Sequence, residues 1–245
     1  MTIAPAETFL AALTADIAAR AQGDDRLIPF VEALRAIDPA RQRYGAAAAL
    51  DHPTMAHLPE ALGAAHGSAL AAAAADVARV LRWYQVFQSG GETPASLVDG
   101  MLAAQVAGNI GMVESETLRC GLFLLAPGLH YPLHTHGASE IYYGLSGELE
   151  LAYGLGEGGF ALGPGALSVT PSHRIHSLTT GAAPVLLIYL WIGDLDAPNW
   201  WWRQGADGAW ARAKWVRMPD ASWRRESEEA VTEAVMAEAL GRGRS

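Results

Sequence analysis

The stretch GLHYPLHTHGASEIYYGLSG, residues 128–147, decides how this chain is read. His134 and His136 stand two apart, and Glu140 and Tyr142 continue the even count. Along a β-strand, side chains two residues apart share a face, so these four project to one side wherever no bulge intervenes. Two imidazoles and a carboxylate on one barrel-facing surface form a ligand set for a divalent first-row metal. A fourth ligand has to come from another strand. His176, in GALSVTPSHRIH at residues 165–176, is the best candidate because a strand there can pair beside the first. His173 competes with it, and His130 either joins the inward face or lies at the surface. The single cysteine, Cys120, rules out an internal disulfide and a CxxC zinc site, which leaves metal binding to His and carboxylate.

Outward from this stretch the texture is that of strands. Short apolar runs at 118–125, 130–136, 140–145, 148–153, 166–170 and 184–192 are separated by turn residues, the spacing of a jelly-roll sandwich or barrel. Glu148-Leu149-Glu150-Leu151 alternates wet and dry, whereas Val185-Leu186-Leu187-Ile188 is buried on both sides. Tyr143, of opposite parity to Tyr142, belongs on the outer face.

The amino-terminal side reads as helix. Phe9, Leu10, Leu13 and Ile17 form one stripe and Phe30, Val31, Leu34 and Ile37 a second. Alanine-rich sequence from Leu62 to Gln88 predicts a third helix, with Val80, Leu81 and Tyr84 on its buried side. Thr93-Pro94 opens a fourth through Met101 and Leu102. Beyond Trp200-Trp201-Trp202 the pattern predicts a strand near 210–218 and a last helix from Ser222. The fold class is therefore α+β: a helical region over 1–108, a single barrel over 109–220 and a short carboxy-terminal helix over 221–245. There is no internal repeat.

The 245 residues are 51% hydrophobic and carry a net charge of −9, enough apolar content for a core and no sign of disorder. The middle segment, 109–200, has only Arg119 and Arg174 as basic groups, too few to neutralise a row of phosphates, so nucleic acid is excluded as its partner. The same acidity favours a small cation or zwitterion. No apolar run is long enough for a membrane span, and MTIAPAETFL lacks the basic start of a secretory signal, so the expectation is a cytoplasmic protein, with a homodimer as the default assembly.

The 128–147 stretch resembles the first cupin motif, G-x5-HxH-x3,4-E-x6-G, at every defined position, and 165–180 resembles the second, G-x5-PxG-x2-H-x3-N. In the second, His173 replaces the inner glycine and Thr180 the asparagine. Within the cupins, LRCGLFLLAPGLHYPLHTHGASEIYYGLSGELEL from Leu118, TPSHRIHSLTTG from Thr170 and PVLLIYLWIGDLDAPNWWW from Pro184 are similar to the dimethylsulfoniopropionate lyases that carry a helical segment before one cupin domain. The resemblance implies metal ligation by His134, His136, Glu140 and His176, a general base at Tyr142, and substrate contacts at Tyr131 and Trp191. It implies a zwitterionic sulfonium substrate, a carbon–sulfur lyase reaction, and one divalent transition metal among iron, manganese, zinc, cobalt and nickel. Another metal-dependent cupin enzyme, or a non-catalytic small-ligand cupin, would share the ligands. Other aromatics have ordinary readings: Tyr142 and Trp191 as core residues, and the triple tryptophan as a cover for the barrel end or a subunit contact. His52, His57 and His66 are expected in solvent, and Cys120 as an inert buried thiol.

Overall fold

The computed structural model describes residues 5–65, 67–89, 93–156, 158–219 and 222–242. His66 lies outside them, as do Ala221 and the last three residues. Four helices lead the chain: α1 (Pro5–Arg20), α2 (Ile28–Arg35), α3 (Leu58–Ala64) and α4 (Ala69–Ala78). The α1 stripe of Phe9, Leu10, Leu13 and Ile17 is buried as its spacing predicts. Ser68 caps α4, its Oγ accepting the Ala71 N–H at 3.0 Å.

Two helices are shorter than their local sequence predicts. The alanine-rich helix stops at Ala78, and the residues after it form an edge strand, β1 (Trp83–Gln85), placing Tyr84 on a sheet. The helix after Pro94, α5 (Ala95–Gly100), ends at its glycine, and Met101 and Leu102 open strand β2 (Met101–Gly108). In both places the decisive partner is distant in sequence: β1 pairs with β2, and β2 with β4 (Leu118–Leu125), where Met101 faces Leu125. Aromatic and apolar residues accept either conformation, and the pairing decides.

The remaining strands are β3 (Val113–Glu114), β5 (His130–Thr135), β6 (Ala138–Ser146), β7 (Leu149–Tyr153), β8 (Phe160–Leu162), β9 (Leu167–Thr170), β10 (His176–Thr180), β11 (Val185–Gly193), β12 (Asn199–Gln204), β13 (Trp210–Arg217) and β14 (Trp223–Ala230). One sheet runs β1-β2-β4-β11-β6-β9, with β3 beside β2; the other runs β14-β13-β12-β5-β10-β7-β8. The sheets thus extend on both sides of the 109–220 span, with β1 and β2 before it and β14 after it.

The helix expected from Ser222 is a strand for most of its length, and only α6 (Glu233–Ala239) is helical. Glutamates of β14 face basic residues on β13, Arg212 against Glu229 at 2.6 Å and Lys214 against Glu226 at 2.6 Å. Such exposed pairs add little energy each, yet they make the charged run compatible with a strand.

Alternation along the first sheet sorts its side chains between two cores. Outward residues such as Cys120, Ile141, Tyr143, Ile188 and Leu190 pack under α1–α4. Arg20 of α1 reaches that sheet, donating to the Tyr143 hydroxyl at 3.1 Å and the Gly165 carbonyl at 3.0 Å. Inward residues, including Tyr142, Leu187, Tyr189 and Trp191, meet Tyr131, Leu178, Trp201 and Trp215 from the second sheet. Each fully buried apolar side chain of this kind contributes about 1.5–3 kcal/mol. Gly121 is required where β2 crosses closely, since a Cβ there would stand 1.9 Å from the Ala104 carbonyl oxygen.

The triple tryptophan is not an exposed cover. Trp201 points into the barrel, Trp202 packs with Ile175 and Ala239 under α6, and Trp200 lies beneath Arg212 at 4.0 Å. His52 is likewise not merely solvated: its Nδ1 accepts the Thr54 N–H at 3.3 Å and its Nε2 bonds the Val98 carbonyl at 3.1 Å. Burial pushes the Cys120 thiol up to about 12, the inert state expected for it.

Candidate metal centre

Antiparallel pairing of β5 with β10 sets His134 directly opposite His176. On the other sheet, Glu140 of β6 is opposite Trp191 of β11. His136 falls just past the end of β5, in the turn toward β6. Barrel closure brings these residues together, and the ligand atoms of His134, His136 and His176 all lie within 4.8 Å of one another.

Backbone carbonyls set the ring orientation of all three. Nδ1 of His134 lies 2.8 Å from the Pro132 oxygen, that of His136 3.0 Å from the Ala138 oxygen, and that of His176 2.9 Å from the Arg174 oxygen. A carbonyl only accepts, so each Nδ1 carries a proton and each Nε2 faces inward, that of His136 hydrogen-bonded to Glu140 Oε2. Burial holds the pKa of His134 well below the usual imidazole range and lowers that of His176 too, so both are in the neutral form that ligates.

Glu140 completes the set with divided oxygens. Its Oε2 stands 3.0 Å from His136 Nε2 and 3.6 Å from His176 Nε2, while Oε1 accepts the Trp191 indole N–H at 2.5 Å. Burial alone would raise this carboxyl, but the neighbouring imidazoles outweigh it and hold it down to about 2. His176 Nε2 has no hydrogen-bond partner among the described residues. Inward Nε2 atoms, a buried carboxylate and an orphaned nitrogen at their focus fit a divalent ion.

The other histidines and motif positions take supporting places. His130 is exposed and bonds the Thr179 hydroxyl at 3.0 Å. His173 adopts φ +61°, the left-handed region that explains why its motif position favours glycine, and its N–H donates to the His136 carbonyl at 2.8 Å. Thr180, at the asparagine position, accepts the Leu129 N–H at 2.8 Å and donates to Ala126 O at 2.7 Å, tying down the turn before β5.

A buried cavity of about 30 Å³ opens beside His134, with Tyr131, Tyr142, Trp191 and Asn199 in its wall. Tyr131 stacks on the His134 ring at 3.9 Å, and its hydroxyl accepts the Asn199 Nδ2–H at 2.6 Å. Burial, and then the Glu140 charge, push the Tyr142 phenol well above its ordinary value. Without a cation at the centre, Tyr142 is therefore protonated. Trp191 packs its ring 4.4 Å from that of His136 while its N–H serves Glu140, so it orients a ligand as well as lining the cavity.

The sequence gives no hint of three wall residues. Asn199 stands out locally only as the polar start of NWWW. Arg217 comes from β13, outside the segment poor in basic residues, and sits 5.8 Å over Trp191 and 4.5 Å over Trp223. Arg119 also lines the cavity, its guanidinium donating to the Leu195 carbonyl and to Asp196. The cavity wall thus holds two guanidinium groups, Arg119, which the count by segment includes, and Arg217, which it misses.

Trp191→Phe keeps a ring against His136 and removes the N–H donor to Glu140. The expected result is a metal affinity lower by about 10–100-fold with the fold retained, measured by competition with a chromophoric chelator. Unchanged affinity would refute the orienting role.

Residues 31–187 match the dimethylsulfoniopropionate lyase (DMSP lyase) family. The chain is 34% identical over 117 residues to the dimethylsulfoniopropionate lyase DddQ of Ruegeria pomeroyi, an alignment covering 48% of this chain and 57% of that protein. It therefore spans little more than half of that relative's length. The crystal structure of DddQ from Ruegeria pomeroyi superposes with a TM-score of 0.59 at 26% identity, covering 78% of this chain and 94% of that one. A chain from the crystal structures of the DMSP lyases RdDddP and RnDddQII shares the fold, with a TM-score of 0.55 at 23% identity over 77% of this chain and 94% of its own. No helix among the described residues is long and apolar enough to cross a membrane.

Proposed function

Because this chain belongs to the dimethylsulfoniopropionate lyase family, we propose that it is a metal-dependent carbon–sulfur lyase that converts dimethylsulfoniopropionate to dimethyl sulfide and acrylate. The observation that carries the reading is the placement of Tyr142 and Tyr131 in one cavity wall with the metal-ligand candidate His134. His134, His136, His176 and Glu140 would hold the ion. A divalent ion bound there supplies Lewis acidity to the substrate carboxylate, lowering the energy of the charge that develops as the adjacent proton leaves.

The chain's own residues do the rest. Tyr142, as phenolate, takes the proton from the carbon next to the carboxylate. The C–H electron pair becomes the new C=C bond, the C–S bond breaks, and its pair leaves on sulfur as neutral dimethyl sulfide. Tyr131 is held in place by the His134 ring and Asn199 and bears on the bound substrate. Burial of the site excludes water that would compete for the proton.

A cavity of about 30 Å³ is room for about one water, so an eight-atom zwitterion enters only as wall side chains move. Trp223 and Arg217, each shared with an outer groove, are the wall residues placed to do so. The test is headspace detection of dimethyl sulfide from the purified metal-loaded protein given dimethylsulfoniopropionate. Stoichiometric release with acrylate is expected. No turnover of this or any related sulfonium acid, or a requirement for oxygen, would overturn the reading.

A further inference from the structure

Asn199 opens β12 and is 2% exposed. Its two amide atoms have different fates. Nδ2 is committed to the Tyr131 hydroxyl at 2.6 Å, whereas Oδ1 has no hydrogen-bond partner among the described residues. A buried carbonyl oxygen left unpaired is costly, and a cavity wall is where such a cost is recovered by a ligand. Asn199 is in that wall, beside Tyr131 and close to the metal-ligand candidate His134.

We propose that Asn199 Oδ1 is the group that recognises the sulfonium end of the substrate; this rests on the lyase reading above. Dimethylsulfoniopropionate has no N–H or O–H to offer an acceptor. Its one positive centre is the sulfonium, so an amide oxygen turned into the cavity finds its complement only there. With Nδ2 given to the Tyr131 hydroxyl, Oδ1 is the amide atom left without a partner among the described residues. A neutral amide suits the place better than a carboxylate would. It offers negative potential to a cation without the cost of burying a full charge.

Trp191, the obvious aromatic partner for a cation, is already engaged. Its N–H serves Glu140, its ring lies against His136, and the Arg217 guanidinium stands 5.8 Å from it. A sulfonium centred on Trp191 would meet a like charge. On the Asn199 side of the cavity, Tyr131 supplies an aromatic ring beside the amide.

Two non-reacting acids separate charge from shape: β-trimethylammonio propionate, and its carbon isostere with tert-butyl in place of trimethylammonium. Calorimetry on the metal-loaded protein is expected to show the ammonium acid bound about tenfold more tightly, the scale of one contact to a charged group. Asn199→Leu is expected to bring the two within about threefold, with the loss of the Tyr131 hydrogen bond weakening both acids alike. Asn199→Asp is expected to widen the preference, and it decides the matter alone if the leucine variant does not fold. A preference unchanged or reduced in Asn199→Asp, or retained in Asn199→Leu, overturns the assignment while the lyase reading stands. Failure of the wild type to bind either acid overturns the lyase reading, and the assignment with it.

Discussion

Replacing Tyr142 by Phe is expected to leave the metal bound and to lower dimethyl sulfide release by about 10²–10⁴-fold, the usual worth of a positioned general base. The ring is 1% exposed in the barrel interior, so Phe fills the same volume and only the hydroxyl is lost. That hydroxyl lies beside Glu140, whose charge, added to burial, keeps the phenol protonated when no cation is near. A divalent charge at the neighbouring centre acts in the opposite sense and favours the phenolate. The proposed mechanism therefore needs both: a base that becomes one only when the ligands are loaded. Metal content by mass spectrometry and rate by headspace chromatography are the two readings. Full activity in Tyr142→Phe would refute the proton-transfer role even if the substrate is right.

His136→Ala is expected to reduce metal affinity by more than about 100-fold, beyond the 10–100-fold typical of losing an outer partner of a ligand, because an Nε2 donor itself is removed. Activity should fall with metal occupancy. The variant also takes away the 3.0 Å partner of Glu140 Oε2 and the ring against Trp191. A fully buried carboxylate deprived of a partner is destabilising by about 3–5 kcal/mol, so the unfolding midpoint in denaturant is expected to fall as well. Wild-type metal content in this variant would exclude His136 as a ligand. His130→Ala, at an exposed position whose ring bonds the Thr179 hydroxyl, is the matched control and should change neither quantity.

The metal-ligand candidates were readable in the sequence because parity within a strand is local. Within β6, Glu140 and Tyr142 need only the alternation of an extended chain to face inward, and Tyr143 to face out; His134 lies on β5, in the other sheet, and meets them through barrel closure. His176 was readable for a related reason: a glycine and proline at set offsets mark the turn that starts its strand. Even the departures from that pattern make sense once seen, His173 tolerating a positive φ and Thr180 bonding the turn that asparagine would otherwise hold.

Where the sequence misled, the cause was a partner far along the chain. Nothing between Ala78 and Gln85 says that β2 will be alongside, so an alanine-rich helix was extended through a strand. Nothing in WRRESEEA favours β over α until β13 supplies opposite charges across the pair.

By itself, then, the sequence determined the ligand types, the parity of side chains within each strand and the family whose chemistry they resemble. Tertiary structure alone decided which atoms of those residues are free. Trp191 meets Glu140 through the β11–β6 register, Asn199 holds Tyr131 across sixty-eight residues of chain, and Arg217 reaches the cavity from a strand two sheet positions away from β5. The physical reason is the same in each case. A hydrogen bond depends on register, closure and packing between strands, and those are set by the burial of two whole sheets, not by any residue's neighbours in sequence.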